Sequence, residues 1–65
     1  MTKDDAKKAM GNGSKVTHRY FTPEEWIMES GCLYEFEDGC MCSFIEFWQH
    51  RTEDSWNDGW EIYKD

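Results

Sequence analysis

Eleven of the 65 residues carry aromatic rings, and four of these are tryptophans. A chain of this length has room for one domain with a small interior. That interior cannot enclose so many large rings, so the fold has to leave part of its aromatic surface at the boundary with water. Aromatic side chains clustered there are the usual anchors of macromolecular interfaces. The ring-bearing positions therefore frame both the fold and the functional reading.

Their spacing gives the expected elements. Residues 1–14, MTKDDAKKAMGNGS, lack a strong apolar stripe and end in Gly-Asn-Gly-Ser. They read as a flexible tail, with a single compact α+β domain over 15–65. Val16–Phe21 favours extended structure. Thr22-Pro23-Glu24-Glu25 combines a capping-box spacing with proline at the first helical position, and so predicts a helix carrying Trp26, Ile27 and Met28 to about Ser30. Cys32–Glu37 alternates as a strand. Asp38-Gly39 then predicts a hairpin into Cys40-Met41-Cys42. Ser43, with Glu46 three residues on, predicts the cap of a second helix through about His50 or Arg51. Trp60, Ile62 and Tyr63 suggest a closing strand. The expected architecture is a small antiparallel sheet of three or four strands packed against two short helices.

Charge is abundant and segregated. Fourteen acidic residues against seven basic ones give a formal net charge of -7. Residues 1–19 sum to +3, and residues 20–65 sum to -10. The body should repel nucleic-acid phosphates and attract basic protein surfaces. Direct nucleic-acid binding by the folded body is not expected. No apolar run of membrane-spanning length or signal-like segment is evident, and three cysteines do not make a complete disulfide framework. A cytoplasmic location is the expectation.

Catalytic signals are weak. Cys32, Cys40, Cys42 and His50 are the one zinc-like set, but their spacing differs from that of structural zinc sites. Buried, structural cysteines are the preferred reading, with no metal and no cofactor. His18 and His50 are available as bases, yet nothing in the sequence ties either to a nucleophile. The chain reads as a non-enzyme.

Trp56 stands out differently. It lies in the polar loop TEDSWNDG, where periodic core packing does not require a ring. It either plugs the core from outside or faces a partner. The expected protein-binding surface is Trp48, Trp56 and Trp60, with Glu53, Asp54 and Asp58 as its charged rim.

The runs HRYFTPEEWI, YEFEDG, EFWQHR and DGWEIY resemble small acidic accessory proteins of tailed bacteriophages. The resemblance is one of style across residues 18–63 and carries over no residue roles. It implies a protein that binds a host protein in the host cytoplasm and inhibits or modulates it. A monomer or weak homodimer is expected. The alternatives are an acidic structural or assembly subunit that self-associates, and a DNA-phosphate mimic that blocks a nucleic-acid-binding protein.

Overall fold

The computed structural model describes residues 1–64. Its elements are α1 (Lys3–Gly11), β1 (Val16–His18), β2 (Ile27–Ser30), β3 (Leu33–Phe36), β4 (Met41–Ser43), α2 (Phe44–Gln49) and β5 (Trp60–Ile62), with a 3-10 turn at Asp54–Trp56 before β5. The strands form one antiparallel sheet in the order β4-β3-β2-β1-β5. This is an α+β fold, and the sheet has five strands rather than three or four.

Strand alternation explains where the core sits. The register sets Val16 beside Ile27, Tyr34 beside Cys42, and His18 beside Trp60, so these side chains share a face. Ala6 and Met10 of α1 and Phe47 of α2 join Val16, Ile27, Tyr34 and Trp60 in one buried cluster. Both helices therefore cover the same face. The other face carries Met28, Glu35 and Met41 in one row and Ser30, Leu33 and Ser43 in another.

Residues 1–14 do not form the flexible tail that the sequence led us to expect. Thr2 caps α1 through a full capping box, its hydroxyl accepting from the Asp5 N–H and the Asp5 carboxylate accepting from the Thr2 N–H, each at 3.2 Å. Ala6 and Met10 stand four residues apart and are fully buried. Nine residues are too few to hold a helix in water, so this packing supplies the stability. The compact unit thus includes the N-terminal segment.

The helix expected after Thr22 is likewise replaced. The cap signal closes one turn: the Glu25 N–H donates to the Thr22 carbonyl at 3.0 Å, and the Glu25 carboxylate accepts from the Thr22 N–H at 3.0 Å. The chain then runs straight into β2. Ile27 is buried while Trp26 and Met28 remain half-exposed, the alternation of a strand. The other two local signals form as read. Phe36 N–H bonds Cys40 O at 2.8 Å across the Asp38-Gly39 turn, and Gly39 has φ +87°. The Ser43 hydroxyl accepts from the Glu46 N–H at 3.1 Å and starts α2.

Candidate aromatic interface

The eleven rings divide into three buried, seven half-buried and one exposed. Most of them form a continuous network of tilted and edge-on contacts over the core. At one end Tyr34 packs on Phe44 and Phe47, and its hydroxyl accepts the Trp48 indole N–H at 2.8 Å. Burial raises the pKa of Tyr34. The Trp48 hydrogen bond opposes that shift, and the charge of Glu29 adds to it.

At the other end the rings surround His18. Alternation from Val16 turns this histidine inward, and it is buried between Trp56, at 4.3 Å between centroids, and Trp60, at 4.7 Å. Its Nδ1 accepts from the Tyr20 N–H at 3.1 Å. The ring proton therefore sits on Nε2, which donates to the Asp58 carbonyl at 2.7 Å and lies 3.2 Å from the Ser55 carbonyl. One side chain thus ties β1 to the loop that precedes β5.

Trp56 packs at a tilt against this histidine and is half-buried. Tyr20 meets its ring edge-on at 5.5 Å between centroids and is itself 60% exposed. The Arg51 guanidinium spreads over Phe47 at 4.0 Å and Trp56 at 5.2 Å, and its Nη1 donates to the Phe47 carbonyl. Burial lowers the Arg51 pKa, while the nearby charges of Cys42 and Glu25 act the other way. Its Nε is buried without a hydrogen-bond partner among the described residues.

The expected surface is therefore rearranged. Trp60 is 0% exposed and offers nothing to a partner, because it is the central ring of the core. Trp48 is half-buried beneath Lys3 and Lys7, whose ammonium groups lie 5.5 and 5.1 Å from its ring centre, so its neighbourhood is basic. Trp56 keeps a half-exposed edge. Glu53, Asp54 and Asp58 are all exposed and flank it in the loop. Tyr20 is the exposed ring that sequence reasoning passed over. Its signal was its place after the inward-facing His18, where a turn leaves a ring outside. Arg51 was read only as a possible end of the second helix.

The cysteines are not the buried apolar residues that were expected. Cys32 and Cys40 are exposed at the ends of β3 and β4, and Cys42 is half-buried. With His50 also exposed, the spacing that hinted at zinc does not correspond to a formed site. Among the described residues, no group of three or more His, Cys, Asp or Glu side chains is arranged to hold a metal ion. Nor does any described helix have the length and apolarity to cross a membrane.

No protein-family model, curated protein or solved structure matches the chain.

Proposed function

We propose that this chain is a binding module that engages a protein with a basic surface and inhibits or modulates it. Contact is made by Tyr20 and the open edge of Trp56, with Glu53, Asp54 and Asp58 around them. The observation that carries the reading is the exposure of Tyr20. A tyrosine held 60% in water, edge-on to a tryptophan whose backbone is fixed by the core, is a preorganised anchor. Its apolar face gains on desolvation. The Arg19 guanidinium lies 5.6 Å from its ring centre and the Met1 amine 3.6 Å from Asp58. The preference for Lys or Arg on the partner therefore rests on the exposed carboxylates of the Trp56 loop, Glu53 and Asp54 foremost. The body's negative charge would speed encounter, and the rings would slow release. The resemblance to phage accessory proteins makes a bacterial host factor the expected target.

The test is capture from bacterial lysate on the immobilised chain, followed by titration of the captured protein against the wild type and Tyr20→Ala. The reading requires that the captured protein bind at one site and bind Tyr20→Ala more weakly. Equal affinity for both would refute it.

A further inference from the structure

The two edges of the sheet are finished differently. The outer edge of β5 is occupied at Trp60: Met1 and Trp60 exchange backbone hydrogen bonds, at 2.8 Å from the Met1 amine and 3.2 Å from the Trp60 N–H. The outer edge of β4 pairs with no strand among the described residues. Its bonding groups follow from the turn. Cys40 O accepts from Phe36 N–H, so Cys40 and, two residues on, Cys42 direct their backbone groups at β3. Met41 therefore turns both its N–H and its C=O outward, and Ser43 turns its N–H outward.

Natural edge strands are commonly blunted by shortness, a charge, a proline or a bulge, and β4, at three residues, shows only the first of these. Met41-Cys42-Ser43 has no charge and no proline, and it pairs with β3 in continuous register. Met41 is 47% exposed on the face away from the helices. The charges lie around the strand instead. Glu35 is directly beside Met41, exposed Glu37 and Asp38 precede the strand, and exposed Glu46 follows it in the first turn of α2. The charges of Glu46 and Arg51 both reach Cys42 on the core-side face and act in opposite directions, Glu46 the more strongly. An incoming strand would meet Glu35 on one face and, on the core-side face, the charge of Glu46 ahead of that of Arg51.

We infer that the β4 edge is a second docking site, which takes an extended basic segment of another protein as a sixth strand. Backbone bonds to Met41 and Ser43 supply the pairing, and Lys or Arg on alternate faces meet Glu35 and Glu46. A second copy of this chain fits less well. It would set the same carboxylates against one another on a chain of net charge -7. The site lies at the opposite edge of the sheet from β5 and the Trp56 loop. It therefore goes beyond the aromatic contact, and a chain with both sites could bridge two partners.

The probe is a short, terminally blocked peptide of alternating lysine and valine, titrated into the full isotope-labelled chain while backbone amide resonances are followed. The expected result is saturable movement of the Met41 and Ser43 amides. The same peptide N-methylated at every residue should bind about tenfold more weakly or worse, because it cannot donate to the edge. Glu35→Gln and Glu46→Gln should each weaken binding of the unmodified peptide. Equal binding of the N-methylated peptide would reduce the effect to charge alone and overturn the inference. Shifts centred on Tyr20 and Trp56 would overturn it as well, without touching the reading of that cluster. So would movement of the Met41 and Ser43 amides on concentrating the chain by itself, which would make the occupant a second copy.

Discussion

The indole N–H of Trp60 donates to the backbone carbonyl of Trp56 at 2.8 Å. The most buried ring of the fold thus fixes the backbone of the half-exposed ring in the proposed contact, and stability and site geometry are coupled through one bond. Trp60→Ala should cost about 3–5 kcal/mol, a large share of what a small domain possesses. Trp60→Phe keeps most of the packing but leaves the Trp56 carbonyl without its donor, and should cost about 1–3 kcal/mol. Urea denaturation followed by far-UV circular dichroism checks both.

His18 holds the same loop from the other side. His18→Phe preserves an aromatic volume but leaves the Asp58 carbonyl and the Tyr20 N–H without their partner. The expected loss is about 1–3 kcal/mol for each group left unpaired. The aromatic near-UV signal should change at the same time, because the ring packs against both Trp56 and Trp60. A variant as stable as the wild type would show that these bonds are not needed.

The N-terminal helix is part of the core and should behave so. Met10→Ala should destabilise the whole domain by about 2–5 kcal/mol, as for other buried methionines. Amide exchange should be slowed in the second half of α1, where N–H groups are bonded within the helix. Exchange at random-coil rates from Ala6 to Met10 would contradict the packing of Ala6 and Met10 against the sheet.

Acid and alkali act on different groups. Asp38 is held below the usual aspartate value chiefly by the Cys40 backbone N–H, and Asp58 chiefly by that of Gly59. A depressed folded value means that the unfolded chain takes up protons first. Their contribution is therefore complete above an unfolded value of about 3.9 and is lost as pH falls through the lower folded values. Both groups are exposed, so Asp38→Asn should flatten the acid limb only slightly. Tyr34 is shifted up, so its contribution is complete below about pH 10 and is lost as pH rises further. Stability measured against pH in both directions checks the signs, and Tyr34→Phe should remove the tyrosine part of the alkaline limb.

The hairpin and the second helix were legible in the sequence because local hydrogen bonds determine them. Asp38-Gly39 makes its hairpin and Ser43 caps α2 because each signal is satisfied within a few residues. Thr22-Pro23-Glu24-Glu25 misled because its bonds do form but close only one turn. The strand partners of Ile27, Phe36 on one side and Val16 on the other, then decide the conformation. Helix α1 was missed because two apolar residues, Ala6 and Met10, make its buried stripe, and their value depends on a sheet that is distant in sequence. The same distance hid the site. Trp56 was singled out as an unusual ring, but its neighbours His18 and Tyr20 come from β1 and the turn after it. Trp60 was placed on the surface because nothing local says which face of a closing strand the helices will cover.

The central claim is that Tyr20 and Trp56 make the contact. It is tested most directly by titrating one captured partner, by calorimetry, against the wild type, Tyr20→Ala, and the triple variant Glu53→Gln, Asp54→Asn, Asp58→Asn. Urea midpoints of all three chains are measured in parallel. The prediction is that Tyr20→Ala leaves the midpoint nearly unchanged and weakens binding by about 2 kcal/mol or more. The triple variant should weaken binding mainly at low salt, where the carboxylates are least screened. A Tyr20→Ala chain that folds as well as the wild type and binds the partner equally tightly would contradict the account.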